Sequence, residues 1–335
     1  MAYQLGCPYY MDVFPNYYYR IKAGSKVIYT MRAASRPDVE YAEMVPNDIC
    51  ADYIRQALPI LNGGKTAPYT QTFSVEQSSD GTNWSNVDTI IFQWDWATEV
   101  EYPMKAWRND PVRQEVNVRQ VLPVSVLCDN TATQITYRYG PSTYNRTLRT
   151  PSTYSDTLSI FDQMAGCVPS KTAIYDLSTA YDAFGEIAFS VGSTWYTYRV
   201  DKTCADYVLY YINEYGGLDW LVLKGAVKKT HDIVRHNTIH ARDFISNLER
   251  GEDNYCNEIT TRYTANTGWL TDEESSRMHH LLGSTFVFLH DLTEGKVIPV
   301  VLTNPDNPVK QYRTEGMRPV NYILEFREAN NYIRK

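Results

Sequence analysis

The chain has 335 residues, 43% of them hydrophobic and 21% charged, which suffices for a sizeable core and excludes a wholly disordered polymer. A net charge of −7 argues against a duplex-DNA binder that depends on cations at phosphates, but suits a mildly repulsive wall along which DNA could pass. No run approaches the roughly 18–20 apolar residues of a membrane-spanning helix, and the opening MAYQLGCPYYMDVF lacks the charged and apolar regions of a secretion signal.

Length points to two domains, expected over residues 1–165 and 166–335. Tyrosine is the outlier, with 28 residues against 10 Phe and 7 Trp. Its apolar ring and polar tip suit surfaces that are dry on one side and wet on the other, as at protein interfaces. Residues 1–24 concentrate this feature in Tyr9, Tyr10, Tyr17, Tyr18 and Tyr19. Such an aromatic arm must dock on its own domain or on a neighbouring subunit.

Phe73–Val87 reads as strand, turn, strand, with Ser79-Asp80-Gly81 reversing the chain and Trp84 packing back on the sheet. Similar turns occur in sugar-binding sandwiches, which gives glycan binding as an alternative reading. Ile90–Trp96 is a further strand, and Trp107–Pro111 a turn. Val112–Leu127 reads as one or two strands broken at Pro123. Asp129–Asp156 is polar and contains two Pro-Ser-Thr-Tyr phrases, ending at Tyr144 and Tyr154. It is expected to be a linker or a loop reaching a neighbour, with the domain boundary at about Asp162–Pro169.

Glu186–Val191 and Thr194–Val200 form a hairpin that leads into Thr203–Gly225, the most apolar stretch of the chain. There Tyr207–Ile212 and Leu218–Leu223 read as two strands joined by the loop Asn213–Gly217, with both faces covered. The expected core residues are Tyr207, Leu209, Tyr211 and Trp220, with Gly216 and Gly217 permitting the tight reversal. Ala226–Leu248 fits strand or helix equally. Thr271–Leu282 reads as a helix, with a Thr271/Glu274 capping box and a stop at Gly283. Strands follow at Phe286–His290, Val297–Thr303 and Asn321–Arg327. The fold class is mainly β: two β-sandwich-like domains with one or more short helices in the second.

A short phrase recurs. Cys50–Ile54 matches Cys204–Val208, Gly63-Gly64 matches Gly216-Gly217, and Gly24–Tyr29 aligns loosely with Gly192–Thr197. These matches point to duplication of one β domain.

No catalytic set emerges. His236 and His240, four apart, would share one face of a helix, with His231 nearby, a spacing that could hold a metal, but no HExxH is present. Adjacent His279 and His280 would diverge on a helix. A Cys50 or Cys204 nucleophile would need a histidine base, and every histidine lies between residues 231 and 290. The six cysteines form no CxxC pair and read as free, mostly buried thiols of a reducing compartment. No metal, cofactor or enzymatic activity is expected.

The phrase Cys204–Trp220, CADYVLYYINEYGGLDW, resembles a segment of tail structural proteins from Bacteroides-infecting tailed phages, including the crAss-like group. Trp269–Glu274, Val297–Val300 and Phe326–Asn330 resemble the same group, so the similarity covers roughly residues 185–330. The resemblance implies a virion tail or neck protein assembled in the host bacterial cytoplasm as a homo-oligomeric ring, twelve-fold by continuity with the portal. Neighbouring tail proteins would be its partners and DNA only a passing cargo. The aromatic arm and the 129–156 segment are the expected ring contacts, because closure needs two different surfaces on each copy.

Overall fold

The computed structural model describes residues 3–4, 9–34, 42–56, 70–93, 108–109, 115–126, 132–149, 159–168, 170–177, 185–191, 193–202, 205–239, 252–271, 274–275, 278–284, 286–304, 321–329 and 332–334. The fold is mainly β, in several sheets. It divides into two interleaved units: residues 1–111, 121–200 and 212–219, and residues 112–120, 201–211 and 220–335.

The first unit begins with β1 (Tyr3–Gln4), β2 (Met11–Val13), β3 (Tyr18–Ala23), β4 (Lys26–Arg32) and β5 (Ala42–Met44). After α1 (Asn47–Gln56) come β6 (Thr70–Ser78) and β7 (Ser85–Gln93). Five of these strands form a sheet ordered β1-β7-β6-β3-β4, while β2 pairs with β5. Strict alternation on β3 puts Tyr19, Ile21 and Ala23 on the inner face, alongside Phe73, Val75, Ile90 and Phe92. Helix α1 joins this apolar layer, with Cys50 and Ile54 buried and the Tyr53 ring edge-on to Phe73 at 5.9 Å.

The short β8 (Glu115–Asn117) lies in the second unit. The first unit resumes with β9 (Val121–Val126), β10 (Gln134–Tyr139), β11 (Ser142–Thr147), α2 (Ile160–Cys167), β12 (Lys171–Asp176), β13 (Glu186–Val191) and β14 (Thr194–Asp201). Strands β11, β10, β13 and β14 neighbour one another in that order, and β9 pairs with β12. Pro123 does not break β9: it sits opposite Ile174 within the ladder, as a residue without an N–H can where a strand has a partner on one side only. The break falls instead at residues 118–120.

Two expectations for this region are corrected. The polar interval is not simply a linker, since it contains the β10–β11 hairpin, with Ile135, Tyr137 and Tyr139 alternating inward. The expected boundary at 162–169 holds α2, whose Ser159 N-cap hydroxyl accepts from the Asp162 N–H at 3.1 Å. A division at 165/166 would also separate β9 from β12 and β10 from β13.

The second unit contains β15 (Tyr207–Ile212), β16 (Leu218–Leu223), β17 (Val227–Ile239), β18 (Glu252–Asn266), α3 (Met278–Leu282), β19 (Val287–Asp291), β20 (Lys296–Leu302), β21 (Ile323–Glu328) and β22 (Tyr332–Arg334). They form one sheet ordered β16-β15-β19-β20-β21-β18-β17, with β22 also on β18. Its core gathers Leu209, Tyr211, Leu223, Tyr263, Leu289 and Phe326 under α3 residues Met278 and Leu281. The Tyr263 and Phe326 rings stack at 5.2 Å, and the Tyr263 hydroxyl donates to Glu328 at 3.0 Å. The capping box forms as the sequence predicts: Thr271 N–H donates to Glu274 Oε2, Glu274 N–H donates to Thr271 Oγ1, and Gly283 closes on the His279 carbonyl.

The phrase repeated in the sequence is not repeated in the structure. Cys50–Ile54 lies inside α1, whereas Asp206 precedes β15 and Tyr207-Val208 begin it. The flanking residues decide this difference. Asn47-Asp48 can start a helix and Arg55-Gln56 sustain it, while Leu209–Ile212 continues the second copy as an aromatic and β-branched run. Gly63-Gly64 lies outside the described residues.

Candidate assembly surface

The aromatic arm is largely docked. The Tyr9 N–H donates to Asn47 Oδ1 at 2.9 Å, its hydroxyl to Asp88, and its ring meets Phe92 edge-on at 6.4 Å. Tyr19, expected at an interface, is 1% exposed and belongs to the core; its hydroxyl accepts the Phe14 N–H at 2.8 Å. Inward alternation on β3 accounts for the correction. Tyr18 is half-buried, with the Arg32 guanidinium 5.3 Å from its ring.

What the arm leaves outside is a small aromatic ledge: Tyr10 at 61% exposure, Phe14 at 54% and Tyr17 at 37%. The last two rings contact each other at 6.3 Å. Asn16, at φ +66°, turns the chain between them and fixes the turn through its N–H to the Ala33 carbonyl. Tyr144 is partly exposed on β11, 5.4 Å from the Tyr175 ring, and Tyr154 lies outside the described residues.

The hairpin core residues are buried: Leu209, Tyr211 and Trp220 are at most 1% exposed, and Tyr207 is half-buried against the same cluster. The hairpin tip, residues 212–219, belongs to the first unit and is held within it by a polar network that local sequence patterns did not disclose. Asp219 is fully buried; its Oδ1 accepts from Asn109 Nδ2 at 2.9 Å and its Oδ2 from Asn213 Nδ2 at 2.7 Å. Asn109 Oδ1 accepts the Ser125 N–H, Ser125 Oγ accepts the Leu218 N–H, and Ser170 Oγ donates to the Gly216 carbonyl. Gly216 has φ +76°, as a tight reversal requires. Gly217 is needed for a different reason: a Cβ there would lie 2.3 Å from the Arg108 carbonyl oxygen. This arrangement anchors the tip and contains no nucleophile–base pair.

The histidine constellation does not form on a helix. His231 and His236 lie on β17, five residues apart and so on opposite faces by strand alternation. His231 Nδ1 is 3.3 Å from Thr261 Oγ1, and His236 Nε2 is 3.3 Å from Glu258 Oε1. His240 lies outside the described residues. The adjacent His279 and His280 rings, expected to diverge, stack at 4.3 Å. Cys50 is buried, which pushes its thiol up to about 12 and removes it as a nucleophile near neutrality.

At the expected sugar-binding turn, Asp80 accepts the Thr82 and Asn83 N–H groups and so organises the reversal. Those hydrogen bonds, that from Asn83 foremost, hold its carboxyl well below the usual carboxylate range. The Trp84 ring carries the Arg20 guanidinium 4.2 Å from its centroid, so one ring face is already occupied.

Strand β17 ends the sheet of the second unit among the described residues. Residues 228–235 are exposed on both faces, including Ile233 at 46% and Val234 at 53%. No protein family, no curated protein and no solved structure matches this chain.

Proposed function

We propose that the chain is a non-enzymatic structural protein of a phage tail or neck, assembled as a closed homo-oligomeric ring around the DNA conduit. The observation that carries this reading is the aromatic ledge of Tyr10, Phe14 and Tyr17, held outward on a docked and hydrogen-bonded arm. A rigid aromatic surface of this kind offers large contact area at small entropic cost, as protein interfaces use. The resemblance of Cys204–Trp220 to phage tail proteins supplies the setting, and with it the twelve-fold expectation, adjoining tail proteins as partners and residence in the virion. The net charge of −7 suits a wall that does not retain DNA.

A glycan-binding module is the second reading. It is less well supported at its expected centre, because Arg20 occupies one face of Trp84. Cryo-electron microscopy of intact virions tests the choice. The expected result is density for this chain in a closed tail ring; its absence from the particle would reject the structural role.

A further inference from the structure

We infer that the edge of β17 opposite β18, over residues 228–235, is an assembly edge that pairs with a second copy of this chain, an inference that rests on the ring reading and names part of its interface. The strand runs for 13 residues, about 40 Å at ordinary strand rise, against a mean of about 5–6 residues for strands in general. Only its beginning serves the core. Val227 packs against the apolar cluster, and Lys229 places its ammonium 5.7 Å from the Tyr263 ring. From Lys228 to Arg235 both faces are exposed, and the side-chain contacts of the segment run along the sheet to β18, as from His231 to Thr261 and from Asp232 to Arg262. One side of the strand is laddered to β18, and the other has no strand beside it among the described residues. An open edge of this length is a template for strand addition.

Charge identifies the occupant. Strand β17 carries Lys228, Lys229 and Arg235 against Asp232, a net +2. The whole chain stands at −7, which leaves −9 on the remainder. Asp232 is engaged by Arg262 of the neighbouring strand and Lys229 lies over the Tyr263 ring, which leaves Lys228 and Arg235 as the remaining cations of the strand. A second copy, acidic in net charge outside this strand, is therefore attracted to it, whereas nucleic acid is repelled by the net charge of the whole chain. Ile233 and Val234, on opposite faces, add apolar contact on either side of the new ladder.

The test uses the full chain, followed by sedimentation velocity over a concentration series and by amide hydrogen exchange at both ends of that series. The expected result is assembly with slowed exchange across residues 227–235. Lys228→Glu together with Arg235→Glu should weaken assembly on the order of tenfold or more, with unchanged circular dichroism. Raised salt should weaken the parent in the same direction. Assembly in which residues 227–235 exchange as fast as in the dilute monomer would overturn this inference and leave the ring reading standing. A chain that stays monomeric throughout would overturn both.

Discussion

At the scale of single residues, the two glycines of the hairpin tip separate conformation from space. Gly216 occupies a left-handed φ, while Gly217 leaves room for the Arg108 carbonyl. Gly24 provides the contrast, with φ +60° and nothing within 4 Å of a built Cβ. Gly217→Ala should therefore lower stability by about 3 kcal/mol or more, because a backbone atom must yield. Gly24→Ala should cost only about 1 kcal/mol, the left-handed penalty alone. Chemical denaturation of the two variants beside the parent reads the difference, and equal losses would refute the steric account. The sequence made the need for Gly216 legible, since a short loop between apolar runs calls for positive φ. The need for Gly217 was not legible, because the atom it avoids lies more than a hundred positions earlier in the chain. The Asn109–Asp219 contact was hidden for the same reason: nothing local marks which amide will meet a buried carboxylate.

At the scale of elements, cross-strand charge pairs tie the first sheet together. Glu76 on β6 receives Arg20 Nε at 2.5 Å and Lys22 Nζ at 3.0 Å, both from β3. The Lys22 hydrogen bond leads in holding the Glu76 carboxyl below its ordinary value, with Arg20 adding to it against the opposing effect of burial. A carboxyl depressed by folding stabilises above its unfolded pKa of about 4.3, and that contribution is lost as pH falls through the folded value. Glu76→Gln should thus be less stable than the parent by about 1 kcal/mol at pH 7. The gap should close in the acid range below about pH 4, where both proteins carry a neutral side chain. A gap independent of pH would show that packing rather than charge ties the strands. Most strands were legible where one face is buried, as in the inward alternation of Ile135, Tyr137 and Tyr139. Strand β17 was not, since exposure on both faces erases the period that would distinguish strand from helix. The Cys50 phrase misled for the opposite reason. Four matching letters are too few to fix structure, and the residues beyond them chose a helix in one place and a strand in the other.

At the scale of the whole molecule, the two units are interleaved along the chain rather than sequential. A fragment of residues 1–165 would lack β12 and β13, the partners of β9 and β10. It should show no cooperative thermal transition comparable to that of the full chain, because buried strands would be left with open ladders. A sharp, two-state melt for that fragment would contradict the observed pairing. The hairpin-tip network extends the same point into time. Asn109 meets Asp219 across 110 positions, and Trp220 donates to the Glu115 carbonyl across 105. At ribosomal rates of about 5–20 residues per second, Asn109 leaves the ribosome about 5–20 s before its partner does. Neither unit can complete its core during that interval. The nascent chain must therefore wait with its tyrosine-rich first strands already made, and its yield in a cell will depend on what shields them until residue 220 arrives.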